Sequence, residues 1–270
     1  MKNKAMQLAA IATLLSCTAI SPLFASAEET GDTEEKEKEK VVNYVSNGKV
    51  AFIPNEDLQD PVDPTDPDPE KPVNPVDPTD PGGPKPGTGS PLGIDFVSSL
   101  DFGINEISNK EKIYYANAQE LTSSNGSKYV PNYAQISDNR GTNAGWKLTV
   151  KQEGQFANAA AQNKKLTGSQ IKFVNPTVTG KTVVTPPTAA KEITLDPNGA
   201  ESLVMSAKPT EGAGLWVNLW GQVDEMTNAA GEKVQKNKAI SLSIPGKTPK
   251  DAVTYSTKLT WNLSDVPGNK

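Results

Sequence analysis

Apolar and polar side chains alternate without interruption in one stretch near the end of the chain. From Val253 to Leu263 every odd position is apolar or semi-apolar and every even position is polar. This period of two residues predicts a β-strand over residues 253–263 with one buried face. Residues 264–268 follow with Ser, Asp, Pro and Gly, which are typical of a turn. A shorter copy of the alternation occupies residues 146–150, and both copies contain Trp-x-Leu.

Short apolar or alternating segments continue through most of residues 92–270. Turn dipeptides such as Asn125-Gly126 and Asn198-Gly199 separate them. This spacing predicts an all-β domain, a sandwich or barrel of about ten short strands. One Ala-rich segment, residues 156–165, is instead compatible with a helix of two or three turns. The other predicted strands are residues 94–97, 113–116, 134–137, 145–150, 171–174, 182–185, 193–195, 202–207, 215–220 and 239–244.

Residues 1–27 have the pattern of a secretory signal peptide. Two Lys residues precede an apolar run at residues 8–15 that is too short to cross a bilayer, and Ala25-Ser26-Ala27 fits the small-x-small cleavage pattern. We therefore expect export, with a mature chain that starts near Glu28 and has no membrane span. Cys17, the only Cys, lies within this segment, so the mature chain has no disulfide. A lipoprotein box around Cys17 is the alternative.

Residues 28–91 differ in charge from the rest of the chain. They hold 16 acidic and 6 basic residues, a net charge of −10, whereas residues 92–270 have a net charge of +3. Residues 28–59 are charged and are expected to be mostly disordered. Residues 41–53 form an apolar island within them, and two alternatives stay open there: a hairpin around Asn47-Gly48, or a binding segment.

Residues 60–91 repeat Pro at every third position over long runs and place Asp before many of these prolines. A period of three matches the polyproline II helix, so we expect a stiff, disordered spacer that contributes reach and no affinity. Ca²⁺ binding by the Asp array is the weaker alternative, because Pro breaks the loop geometry that such sites need.

The composition excludes several kinds of chemistry. With no His and no Cys after residue 17, a Ser-His-Asp triad, a Cys-His pair and a His metal site are all impossible. A glycine-rich phosphate loop is missing, and the small positive charge of residues 92–270 does not favour nucleic acid. Carboxylate pairs leave a two-carboxylate glycosidase open, but nothing marks one pair out. We expect neither an enzyme nor a cofactor or metal.

Arg140 is the only Arg in the chain, against 26 Lys. Because every other basic residue is Lys, an Arg at this position indicates a need for a planar, bidentate hydrogen-bond donor. Two hypotheses follow. Arg140 forms a fork with Asp138 that fixes the loop before Trp146, or it binds a carboxylate or phosphate of a ligand.

A second aromatic pair lies in residues 215–220, Leu-Trp-Val-Asn-Leu-Trp. Leu215, Val217 and Leu219 share one face of the predicted strand, and Trp216 and Trp220 share the other. Either the strand is central and buried on both faces, or the two tryptophans form an exposed pair on which sugars or partner side chains stack.

The two extended Trp-x-Leu motifs make residues 92–270 similar to the WxL domain of Gram-positive cell-surface proteins. The first motif runs from Asp138 through Trp146 and Leu148, and the second runs from Tyr255 through Trp261 and Leu263 to Pro267. The resemblance implies a location on the cell surface, non-covalent attachment to peptidoglycan, and assembly with companion surface proteins. The alternation predicts that Trp146 and Trp261 lie in the core, which leaves Trp216 and Trp220 as better candidates for contact.

Three functions follow, in decreasing order of support. The first is a wall-binding module in which residues 92–270 bind peptidoglycan and residues 28–91 project outward. The second is a structural subunit that docks companion proteins in a cell-surface adhesion complex. The third is an enzyme that acts on wall glycan.

Overall fold

The computed structural model describes residues 40–123, 126–228 and 230–265, which form sixteen β-strands and no helix. Residues 1–27, with the predicted signal peptide, lie outside the described part. In chain order the strands are β1 (Asn74–Pro75), β2 (Leu92–Val97), β3 (Lys112–Asn117), β4 (Gln119–Ser123), β5 (Gly126–Val130), β6 (Tyr133–Asp138), β7 (Trp146–Gln152), β8 (Gln170–Val174), β9 (Pro176–Thr179), β10 (Thr188–Ala189), β11 (Glu192–Thr194), β12 (Ser202–Ala207), β13 (Gly214–Trp220), β14 (Asp224–Thr227), β15 (Lys233–Ile244) and β16 (Leu259–Asp265).

The strands pair antiparallel in four small sheets. Their orders are β1-β4-β5, β10-β12-β7-β16, β2-β6-β13-β9 and β11-β8-β15-β14, and β3 pairs with β15 in the last of them. The sheets are arranged like the blades of a four-bladed propeller rather than as a sandwich. The all-β prediction is confirmed, and the sandwich or barrel of about ten strands is wrong. Alternation fixes which face of a strand is buried, but it does not choose the neighbour that the strand pairs with.

Most predicted strands are present with small shifts at their ends, and residues 202–207 match β12. Three predictions are wrong. The strand predicted over residues 253–263 begins only at Leu259, because Tyr255 uses its hydroxyl to donate to Asn163 O (2.8 Å) in a loop. Residues 156–165 form turns instead of a helix, and residues 182–185 form no strand.

Two hydrophobic clusters lie on opposite faces of the β6–β13 pair. The first and larger cluster joins residues of three sheets, and the second lies between β13, β6 and the β4–β5 hairpin. Trp216 and Trp220 belong to the first cluster, whereas Val217 and Leu219 belong to the second. The hypothesis of a central strand buried on both faces is therefore confirmed for β13.

Residues 60–78, here called the proline strap, pack on the outer side of the second cluster. Val62 is 1% exposed, Pro64, Pro67 and Pro75 are buried, and β1 pairs with β4. The prediction of a freely extended spacer is wrong for these residues. Side-chain chemistry explains the difference. In both Asp-Pro-Thr-Asp repeats the first Asp accepts hydrogen bonds from the Thr backbone and hydroxyl two residues later, so turns interrupt the polyproline period.

A buried polar cluster fastens the strap to the sheet. Gln135 accepts a hydrogen bond from Val62 N (2.8 Å) through its Oε1 and donates through Nε2 to Asp60 O (2.9 Å) and to Asp95 Oδ2 (3.1 Å). Ser137 Oγ also donates to Asp95 Oδ2, at 2.6 Å. Burial raises the pKa of Asp95 to about 6, although both hydrogen bonds lower it. The strap is thus held by specific hydrogen bonds as well as by apolar packing.

The chain divides into two compact units, Met1–Lys49 and Val50–Lys270. In the first unit the described residues 40–49 form no strand, and their large apolar side chains are exposed. In the second unit, residues 50–58 also form no strand, and Phe52 and Ile53 are both 89% exposed. The hairpin alternative for residues 41–53 is therefore wrong, and the binding-segment alternative stays a prediction.

Candidate functional site

The two Trp-x-Leu motifs lie on neighbouring strands, although 115 positions separate Trp146 from Trp261. β7 and β16 pair antiparallel, with Leu148 opposite Leu263, Val150 opposite Trp261, and Trp146 opposite Asp265. Residues that stand opposite each other in an antiparallel pair share a face of the sheet. The two motifs therefore build one two-stranded surface with a common inner face and a common outer face.

The inner face belongs to the first hydrophobic cluster. Trp146, Leu148 and Val150 are each 0% exposed, whereas Trp261 and Leu263 pack against the cluster and stay partly exposed. The Trp261 ring lies 6.2 Å from that of Trp220, which in turn lies 5.0 Å from Phe173. The core prediction is confirmed for Trp146 and only partly correct for Trp261. β16 is an edge strand with a neighbouring strand on one side only, so the side chain of Trp261 is covered incompletely.

The indole of Trp146 is fixed by a glycine in a distant loop. Trp146 Nε1 donates to Gly212 O at 2.9 Å. Gly212 has a φ of 69°, and a Cβ at this position would lie 2.5 Å from the Ala207 Cβ and 2.9 Å from Trp146 Nε1. Only glycine fits there, because other residues combine strain at positive φ with a steric clash.

Arg140 forms the predicted fork. Its Nε and one terminal nitrogen donate to the two carboxylate oxygens of Asp138, each at 2.8 Å, and the same terminal nitrogen donates to Gly145 O at 2.8 Å. The Asp138 side chain is 2% exposed and that of Arg140 is 15% exposed. The hydrogen bonds to Asp138 raise the pKa of Arg140 above its ordinary value. The fork fixes the loop that leads into β7, so the guanidinium is already engaged within the protein.

Polar side chains connected by hydrogen bonds cover the outer face. Glu201 accepts from Thr149 Oγ1 (3.1 Å) on β7 and from Asn262 Nδ2 (2.8 Å) on β16. Glu153 accepts from Thr260 Oγ1 (2.7 Å) and forms an ion pair with Lys151 (3.0 Å). These two partners hold the pKa of Glu153 below its ordinary value. No pattern in the sequence points to Glu201, which lies directly before β12 and meets both motifs only in the folded chain.

The match to a family model follows the same stretch of chain. The model is that of the WxL domain surface cell wall-binding family, and it matches residues 39–267. The chain belongs to this family. No curated protein and no solved structure matches it.

The match confirms the resemblance, and its range is longer than the residues 92–270 to which the two motifs point. The family model begins at residue 39, whereas the motifs suggested a start near residue 92. The proline strap therefore lies within the matched region, in agreement with its packing on the second hydrophobic cluster. The family is a cell wall-binding family and implies a location at the cell surface or cell wall.

Trp216 and Trp220, the candidate contact residues, lie inside the WxL domain. Each is 2% exposed, and Trp216 Nε1 donates to Ala213 O at 3.1 Å. The alternative in which they form an exposed stacking pair is wrong, because the face of β13 that carries both tryptophans packs in the first hydrophobic cluster.

The described residues contain no group of three His, Cys, Asp or Glu side chains placed to hold a metal ion. They also include no helix long and apolar enough to cross a membrane. An open cleft of ≈ 340 Å³ lies beside the strap and is lined by residues such as Val76, Gln119 and Gln235.

Proposed function

We propose that this WxL domain attaches the chain non-covalently to peptidoglycan, and that the outer face of β7 and β16 makes the contact. The observation that carries the proposal is the pairing of the two motifs into one surface. The inner face of that surface is used by the core, so only the outer face and the free edge of β16 are left for a ligand.

The chemistry of the outer face suits peptidoglycan, which carries glycan hydroxyls, acetamido groups and peptide carboxylates. Lys147 is exposed and offers an ammonium group, while Thr260, Asn262 and Ser264 offer hydroxyl and amide groups. Glu153 and Glu201 already hold two of these side chains, Thr260 and Asn262, in place, so less conformational entropy is lost when a ligand binds.

The test is sedimentation of the purified chain with washed, protein-stripped sacculi. Lys147→Glu combined with Asn262→Ala should weaken retention about tenfold, a loss typical of removing central contacts. Lys112→Glu, an exposed lysine on β3 in a different sheet, is the matched control and should bind like wild type. Full retention of the double variant, with its fold intact by circular dichroism, would reject the outer face as the binding surface.

A second candidate function is docking of companion surface proteins, with indirect retention at the wall. The exposed apolar side chains of residues 41–53 favour a role in protein contacts. The same sedimentation assay separates the two functions, because retention that needs an added companion protein supports docking. Release of soluble wall fragments would instead indicate an enzyme.

A further inference from the structure

Edge strands expose unpaired backbone groups that can pair with another chain, and proteins usually protect them. Almost every edge strand among the described residues has such protection. β1 and β10 are two residues long, β9 begins with Pro176, and β5 carries Gly126 and Lys128. Charged side chains protect three others, through Glu192 on β11, Asp224 and Glu225 on β14, and Lys112 on β3.

β2 is protected in a different way. Its outer edge is occupied, because Thr88 N donates to Ile94 O (2.9 Å) and Ile94 N donates to Thr88 Oγ1 (3.0 Å). A register shift between Ile94 and Phe96 also bends the strand. Bulges and covering loops of this kind prevent edge-to-edge pairing.

β16 is the least protected of these edges, because its one charged residue, Asp265, is the last of its seven residues. It is seven residues long, pairs with β7 alone, and has no charged residue, Pro or Gly from Leu259 to Ser264. Beyond that pairing, its backbone is bonded to no described residue except through a long contact of 3.5 Å from Thr149 Oγ1 to Asn262 O. Leu259, Trp261 and Leu263 stay partly exposed along this edge.

A segment suited to pair with this edge is present elsewhere in the chain. Residues 41–53, here called the apolar segment, form no strand and contain seven large apolar residues. Their exposed fractions range from 73% for Val41 to 94% for Tyr44. Its two halves, residues 41–45 and 50–53, are each about as long as an ordinary strand.

The size of the apolar segment is sufficient for a stable contact. Tyr44 and Phe52 alone can bury about 150–250 Å² each. With five further aliphatic side chains and the backbone, the segment can cover roughly the 800 Å² per partner of a standard protein interface. Main-chain pairing with a sheet edge would supply the register and direction of binding.

We propose that the apolar segment of one copy adds as a strand to the free edge of β16 in a second copy. The added strand pairs with the β16 backbone and covers the exposed parts of Leu259, Trp261 and Leu263. A second copy is the occupant because the apolar segment is exposed in a single copy and the chain itself provides both halves of the contact. Donor and acceptor are different surfaces, so the assembly is head-to-tail and forms either a ring or an open chain.

The first test is analytical ultracentrifugation of the full chain over a wide range of concentrations. Wild type should self-associate, and Tyr44→Asp with Phe52→Asp should weaken association by about tenfold or more. Val183→Asp is the matched control, because Val183 is 105% exposed, lies outside the apolar segment and should associate like wild type. A monomer at every concentration, or association that the double variant leaves unchanged, overturns the proposal.

The second test locates the contact. In a Cys17→Ser background, one copy carries Phe52→Cys and another carries Ser264→Cys at the exposed end of β16. A short bis-maleimide should link the two variants when they are mixed, and an excess of a peptide of residues 41–53 should reduce the product. Failure to form the mixed product, or linkage only within a doubly substituted single copy, rejects exchange between copies. Neither test involves the wall, so both are independent of peptidoglycan binding.

Discussion

At the scale of single residues, the presence of only one Arg in the chain correctly indicated that Arg140 has a special role. The chain uses one Arg, and that residue forms a bidentate fork with a nearly buried carboxylate and a third bond to Gly145 O. Lys has one nitrogen and cannot reproduce a planar fork. Asp95 shows the opposite case, because its burial under the proline strap depends on contacts that no local pattern reveals.

Arg140→Lys should lower the free energy of unfolding by about 1–3 kcal/mol, since it removes charge-assisted hydrogen bonds to a buried partner. Urea unfolding followed by tryptophan fluorescence measures this change. A cycle with Asp138→Asn tests the cause, because the cost of Arg140→Lys should shrink once the carboxylate is absent. An unchanged unfolding midpoint would show that the fork contributes nothing to stability.

Asp95 should make stability depend on pH. Its pKa of about 6 in the folded chain lies above its ordinary value of 3.8, so between these values the folded state holds a proton that the unfolded state has released. The free energy of unfolding therefore falls as pH rises through this range, by roughly 3 kcal/mol at most.

The check is urea unfolding at several pH values between about 4 and 7, the range set by this linkage. Asp95→Asn should remove the part of the slope that belongs to this carboxyl group. Asp57→Asn, at an exposed position, is the control and should keep the wild-type slope. Equal slopes for wild type and Asp95→Asn would disprove this linkage.

At the scale of elements, the two motif strands share the Trp-x-Leu pattern but occupy different positions in their sheet. β7 lies between β12 and β16 and buries Trp146 completely, whereas β16 lies at an edge and leaves Trp261 partly exposed. The difference matters for function, because a change at Trp146 reports on folding while a change at Trp261 also alters the surface.

Trp146→Phe should destabilise the chain by roughly 2–4 kcal/mol, since it leaves a void and removes the donor to Gly212 O. Trp261→Phe should cost less. In acrylamide quenching of the folded chain, Trp261→Phe should reduce the quenchable fraction, because the three tryptophans left are buried. Equal quenching of wild type and Trp261→Phe would place Trp261 in the core together with Trp146.

At the scale of the whole molecule, the proline strap is part of the folded structure. Val62 and three buried prolines cover the second hydrophobic cluster, and Gln135 holds the strap by hydrogen bonds. A chain that begins at residue 79 would expose Tyr133, Leu121 and neighbouring apolar side chains.

A chain that begins at residue 79 should be less stable than one that begins at residue 50 by roughly 3 kcal/mol or more, because burial of one Val-sized side chain alone contributes about 1.5–3 kcal/mol. The chain that begins at residue 50 retains the strap and should unfold like the full chain. Thermal and urea unfolding of the two truncated chains measures the difference. Equal stability of the two chains would show that the strap adds length to the molecule but nothing to its free energy of unfolding.

The sequence by itself determined the all-β class, most strand positions, which residues share each face of β13, and the family. Each of these depends on residues close together in the chain, where side-chain period and local chemistry act directly. The structure decided the four-sheet arrangement, the pairing of the two motifs, the place of Glu201 between them, the docking of the strap, and the choice of the Arg140–Asp138 fork over a ligand contact. These depend on contacts between distant residues, and alternation leaves the choice of partner open. The position of a strand inside a sheet or at its edge also depends on such contacts. This difference leaves Trp146 buried and Trp261 partly exposed.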